Sequence, residues 1–208
     1  MLRTLAFWGL VGPVVALPLD ALHVATGVLS YGAPTAWMPL SLQAWWAIPL
    51  FVGSGLALGL GHRHVATRVA AATTSSLGPL PPATLLGALL GVLALITSYA
   101  SSGALQAWPW LALAIYAAIW AVAVLLVDAR ARRALVLHSV GAAVAGPAVE
   151  IALSSAGAFH YAHPDVLGVA IWLPGIYLNA GAASHLLDRW LLGRAAIGQR
   201  STATPAHR

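Results

Sequence analysis

The sequence predicts an all-α integral membrane protein, a six-transmembrane-helix bundle with both termini cytoplasmic. Three observations carry that prediction. Hydrophobic residues make up 60% of the 208 and charged residues 7%, with a mean hydropathy of +0.85. A soluble domain carries roughly 25% charged residues, so this composition cannot face water all round. The apolar runs are long and continuous rather than alternating, which fits helices of about 20 residues crossing ~30 Å of hydrocarbon and excludes a barrel. Finally, all ten basic residues are arginine, and they sort to one side of the spans.

The first span, 5–28, follows Arg3. A signal peptide would have a shorter apolar core, and this run continues past Asp20 to Val28, so it is read as a retained helix. The second, 43–61, opens on Trp45-Trp46 and carries Gly53, Gly55, Gly59 and Gly61; small residues at such spacing let helices approach closely. A long loop, 62–82, ends in Gly78-Pro79-Leu80-Pro81-Pro82 before the third span, 83–102, with Gly87 and Gly91. The fourth, 108–127, opens on Trp108 and Trp110. The fifth, 134–157, follows Arg130, Arg132 and Arg133. The sixth, 166–187, ends at Arg189 and Trp190. Trp37, Trp45, Trp46, Trp108, Trp110, Trp172 and Trp190 lie near span ends and read mainly as interfacial anchors. Pro13, Pro18, Pro49, Pro147 and Pro174 are expected to remove helix hydrogen bonds and open space within the bundle. No internal repeat is evident, so the usual signature of an inverted-repeat transporter is missing.

With these spans, every arginine falls on one face, while the loops near 29–42, 103–107 and 158–165 contain none. The positive-inside rule assigns that face to the cytoplasm. Residues 1–193 form the transmembrane domain, and 194–208 a polar, irregular tail. Arginines scattered along membrane borders, with no folded basic face, give no nucleic-acid surface. The absence of cysteine excludes disulfides and thiolate metal sites.

An ionisable group within a span costs at least ~2.5 kcal/mol, so each is a site candidate. Glu150 lies in the outer half of the fifth span with no basic residue within helical reach. It is fitted either to meet a ligand hydroxyl or carbonyl or to bond a neighbouring helix. Asp20 and His23, three apart on one helix face, could join it as a metal site, but the motif is weak and both could simply be wetted at the interface. His62, His64, His160 and His163 read as solvated. Tyr177, Asn179 and His185 in the sixth span could line a cavity or bond between helices. No phosphate loop, serine-nucleophile motif or zinc helix is found; no enzyme, cofactor or metal is expected.

The C-terminal third resembles the Insig (insulin-induced gene) family. Phe159-His160-Tyr161-Ala162-His163-Pro164-Asp165-Val166-Leu167, followed by Trp172-Leu173-Pro174, is similar to that family's Tyr-Gln-Tyr, Pro-Asp-Phe-Leu and Trp-Leu-Pro stretch, and Asn179-Ala180-Gly181 to its glycine-rich sixth helix. Ala44-Trp45-Trp46-Ala47-Ile48-Pro49, Tyr99-Ala100-Ser101-Ser102 and Asp128-Ala129-Arg130-Ala131-Arg132 fall collinearly, so the likeness spans most of 40–190. The resemblance implies six helices with cytoplasmic termini and a protein that binds a sterol in its bundle and retains Scap and the sterol-synthesis reductase in the endoplasmic reticulum. It places Glu150 where the family has a sterol-associated Gln, and Asp128 where an Asp contacts Scap. The family's Cys pair after Trp-Trp is missing here. An arginine-only composition rich in Ala and Gly points to a bacterial source, which would supply neither Scap nor abundant sterol; the location would then be the cell membrane.

The expectation is therefore a non-enzymatic protein holding a sterol or another small-headed amphiphile, such as a diacylglycerol. Glu150, Asn179, Tyr177 and Trp46 are the ligand-binding candidates, Asp128 a partner contact, and a homo-oligomer is open. A proton-coupled transporter or channel using Glu150, Asp20 and His23 is the alternative, and a membrane metal enzyme on the same residues a third reading.

Overall fold

The computed structural model describes residues 2–36, 38, 42–72 and 83–202, without the side chains of residues 71, 72, 130 and 192–202. Six long helices and one two-stranded ribbon follow in order: α1 (Leu2–Ala25), β1 (Leu29–Tyr31), α2 (Ala47–Ala72), α3 (Leu85–Leu105), α4 (Pro109–Leu126), α5 (Ala129–Ser155), β2 (Phe159–Tyr161) and α6 (Leu173–Thr202). The expected Trp37 anchor and most of the proline-rich stretch before α3 lie outside the described residues.

Four helices are long and apolar enough to cross a bilayer: α1, α3, α4 and, within α5, Ala131–Ser155. The protein is thus an integral membrane protein by the length and composition of these helices. The other two helices are more polar, and one of them explains itself by position. Helix α6 packs against α2, α3, α4 and α5. It buries Asn179, Ser184, His185 and Asp188 among protein, where partners replace the water that lipid cannot supply. Helices α3 and α4 instead present Leu85, Leu86, Leu89, Trp110, Leu125 and Leu126 outward.

Three boundaries differ most from the sequence reading. Helix α2 runs on past Gly61 to Ala72, so His62, Arg63 and His64 are helical rather than part of a loop. Helix α6 starts at Leu173, not near 166. There the chain makes a tight turn at Leu167 (φ 51°) and Gly168 (φ 82°), closed by a Val166–Val169 bridge, while Ile171 N–H donates to Asp165 Oδ2 at 2.9 Å. At its far end α6 stays helical to Thr202, into the segment assigned to a tail. The expected kinks also divide: Pro49 and Pro174 fall in the first turns of α2 and α6, where no intrahelical N–H bond is lost.

Close approach of α1 to α2 depends on glycine. A Cβ on Gly12 would strike the Phe51 carbonyl, one on Gly55 would strike Gly12 and the Trp8 carbonyl, and one on Gly59 the Trp8 ring. Gly146 and Gly181 do the same for α5 and α6, against Tyr177 and Ser139.

The ribbon relates two halves of the fold. Leu29 pairs with Tyr161, Ser30 with His160 and Tyr31 with Phe159, a register that maps onto itself when β1 and β2 are exchanged. Each strand follows a helix that ends in the same way. Val28 N–H donates to His23 O and Gly27 N–H to Val24 O; Ala158 N–H donates to Leu153 O and Gly157 N–H to Ser154 O. Both are Schellman ends with glycine at positive φ, 70° and 74°. Each strand leads to a tryptophan just before the next helix, Trp46 and Trp172, whose ring meets its own unit's tyrosine edge-on: Trp46 on Tyr31 at 5.3 Å and Trp172 on Tyr161 at 6.1 Å. The units α1–β1–α2 and α5–β2–α6 are therefore an internal repeat that the sequence did not reveal.

Candidate functional site

A cavity of about 350 Å³ lies between α1, α2 and α5, with Tyr99 of α3 and Tyr177 of α6 in its wall. The ribbon closes one end: its strands bury Leu29, Tyr31, Phe159 and Tyr161 inward and leave Ser30 and His160 exposed. The middle is apolar, lined by Leu50, Phe51, Ala57, Leu58, Ala145 and Leu153 among others. Leu137 and Val149 line the cavity and are also 49% and 48% exposed on the bundle surface. A Cβ on Gly141, another lining residue, would meet nothing within 4 Å. The cavity thus opens sideways along α5.

Polar groups gather at the ribbon end. Tyr161 Oη donates to Glu150 Oε2, and Tyr177 Oη to Glu150 Oε1 at 2.7 Å. On the other side Tyr31 Oη donates to Asp20 Oδ2 at 2.9 Å, and the same oxygen accepts Gln43 Nε2 at 2.5 Å. Burial, together with the carboxyl each one faces, pushes the Tyr31 and Tyr161 phenols above their ordinary range, so both remain protonated donors. His23 stacks on Tyr99 at 4.6 Å and meets Trp172 edge-on at 5.9 Å. Its buried Nε2 has no hydrogen-bond partner among the described residues.

A second polar cluster sits at the far end. Arg63 reaches Asp188 with both Nε (3.2 Å) and Nη2 (2.9 Å), and Trp8 Nε1 donates to the same carboxylate at 3.1 Å. Arg63 Nη1 also donates to Thr4 Oγ1 at 3.0 Å. His62 lies 3.7 Å from Asp188 and 3.1 Å, Nδ1 to Nδ1, from His185. His138, which lines the cavity here, pairs with Ser184 at 2.9 Å. His62 is 1% exposed, not the solvated residue its sequence position indicated. Among the described residues no group of three or more His, Asp or Glu side chains can hold a metal ion.

Of the four expected ligand residues, Glu150 and Tyr177 line the cavity. Trp46 stands behind it, on Tyr31. Asn179 is elsewhere, in the α3–α4–α6 contact, donating to Ser98 Oγ (3.3 Å) and to the Tyr116 and Gly175 carbonyls (3.0 Å each). Asp128 is exposed between α4 and α5, where its carbonyl accepts Ala131 and Arg132 N–H groups and starts α5. Sequence reasoning missed Tyr31, Tyr99 and Tyr161, which it left in loops or at a span end. The available signal was the repeated spacing: an acid, then glycine seven residues on, then tyrosine at eleven, in 20–31 and again in 150–161.

No family model matches the chain. It is 31% identical over 189 residues, 89% of its own length and 85% of the relative's, to an INSIG protein homolog of Mycolicibacterium vanbaalenii. Two crystal structures of a mycobacterial Insig homologue share the fold at 28% identity, covering 93% of this chain and 96% of that one. A cross-linked trimer aligns with TM-score 0.72, and the homologue from Mycobacterium vanbaalenii with TM-score 0.69.

Proposed function

This chain belongs to the Insig family, and we propose that it is a non-enzymatic membrane protein that binds a small-headed amphiphile, a sterol or a diacylglycerol-like lipid, in the cavity beneath the ribbon. One observation carries the reading: an otherwise apolar cavity ends at Glu150, whose two oxygens are held by Tyr161 and Tyr177. Apolar walls with a few convergent polar groups suit a lipid whose head lodges at one end. Glu150 and Tyr177 would meet the head, Trp46 would support Tyr31, and the tail would leave through the opening along α5. Asn179 would act through packing rather than contact.

The same reading carries six crossings. Helices α2 and α6 would cross as the return limbs of hairpins with α1 and α5, placing both termini and the arginine-rich ends in the cytoplasm and the ribbon outside. The location would be the bacterial cell membrane. Trimerisation, which the cross-linked relative's structure supports, would extend to this chain, and Asp128 would lie on the cytoplasmic side as a contact for a protein partner.

Native mass spectrometry with lipid extraction, run on the wild type beside Glu150→Leu, tests the proposal. A discrete, stoichiometric neutral lipid lost in the variant supports it. Bulk phospholipid alone on both proteins removes it. A proton-coupled transporter would use Glu150, Asp20 and His23 as its relay; pH-dependent flux in vesicles that Glu150→Gln abolishes would favour that instead.

A further inference from the structure

Asp20 is the counterpart of Glu150. Each carboxyl lies eleven residues before a tyrosine on the paired strands, and each accepts that tyrosine's hydroxyl proton, Asp20 from Tyr31 and Glu150 from Tyr161. Each tyrosine is braced edge-on by its own unit's tryptophan, and both carboxyls line the one cavity. The same cavity carries an independent sign of a missing partner: the Nε2 of His23, a residue 2% exposed in its lining, is unbonded among the described residues.

We propose that the polar end of the cavity is a two-sided clamp, with Asp20–Tyr31 facing Glu150–Tyr161, that selects amphiphiles whose heads carry two free hydroxyls, as a glycerol monoester does. This rests on the amphiphile-binding reading and narrows it: a sterol or a diacylglycerol, with one free hydroxyl each, would be held more weakly than a glycerol monoester. A single hydroxyl donates one hydrogen bond and can serve only one half of the clamp, which leaves the other carboxyl and His23 buried without a ligand donor. Two hydroxyls serve both halves and still accept from a donor nearby. An ammonium group only donates, and it brings a full charge into a low-dielectric site, at a desolvation cost a hydroxyl avoids. The asymmetry between the halves has a role as well. Leu153 stands on α5 where α1 has His23, so the third polar group is His23 on the Asp20 side and Tyr177, from α6, on the Glu150 side.

The test compares two lipids that differ by one hydroxyl: monooleoylglycerol and the monooleate of propane-1,2-diol. Binding to the full-length protein in detergent is followed by native mass spectrometry and by thermal shift. The wild type is expected to hold the diol on the order of tenfold more tightly, the scale of one well-made hydrogen bond lost at a buried site. Asp20→Ala should bring that ratio to about one, with an unchanged circular-dichroism spectrum and gel-filtration profile showing that the variant is folded. If Asp20→Ala does not fold, Tyr31→Phe serves, and should lower the ratio by a smaller factor. A wild type that binds both lipids equally, variants that keep the full ratio, or oleylamine displacing the diol at equal concentration would each overturn the clamp and leave the amphiphile reading standing. A wild type that binds neither lipid, and carries no sterol or diacylglycerol, would overturn both.

Discussion

At the scale of residues, the site is a set of carboxyls held by phenols. Glu150 was legible in the sequence because a lone acid in an apolar helix costs several kcal/mol unless it has work or partners. Its partners were not legible, since Tyr161 and Tyr177 come from a strand and a helix that only the fold brings together. Tyr161→Phe should cost about 1 kcal/mol of stability by removing a donor from a buried carboxyl, and should also weaken lipid binding. Melting of the detergent-solubilised protein with and without lipid separates the two effects. Asp188 escaped notice because α2 was read to end at Gly61, one residue before the side chains that meet it. Arg63→Ala leaves that carboxylate wholly buried with Trp8 and His62 for company. The expected loss is roughly 2–3 kcal/mol, short of the 3–5 for fully buried pairs because the Arg63 side chain is 33% exposed. A smaller drop in melting temperature than Tyr161→Phe causes would contradict that ranking.

At the scale of elements, α4 was read to within one residue at each end and α3 to within three, because lipid-facing helices must be apolar along their whole outer surface. The ends of α6 were not, because a helix surrounded by protein can be polar and hydropathy then says little about where it stops; the end of α2 was missed because His62 and Arg63 find their partners, His185 and Asp188, only in the fold. The repeat was hidden for a related reason. Only the acid, the glycine and the tyrosine must persist for the two ribbon arms to match, and three positions in twelve do not register as similarity. Those glycines carry a testable share of the geometry. Gly157→Ala meets no neighbour within 4 Å, yet sits at φ 74°, so it should cost about 1–2 kcal/mol through backbone strain alone. Gly59→Ala tests packing instead, since its new methyl would collide with the Trp8 ring and pull Trp8 Nε1 from Asp188. Loss of the buried tryptophan's fluorescence signature, with a lower melting temperature, is the expected result; an unchanged spectrum would show that α1 and α2 can part without releasing Trp8.

At the scale of the whole molecule, arginine placement predicts that the helix ends opposite the ribbon share the cytoplasmic side. Because the chain has no cysteine, single-cysteine labelling can check this without a background. Ser30→Cys and His160→Cys, both exposed on the ribbon, should react with an impermeant maleimide added outside intact cells. Ala129→Cys at the start of α5 should react only after lysis. The reverse pattern would invert the bundle, and labelling of all three from outside would end the six-span topology. The side opening past Leu137 and Val149 sets a last condition. A ligand that enters from within a leaflet is never present at a meaningful aqueous concentration, so occupancy follows its mole fraction among the surrounding lipids. Dilution of a culture or a vesicle suspension would leave the site as full as before, while a change in what the cell puts into its membrane would empty or fill it.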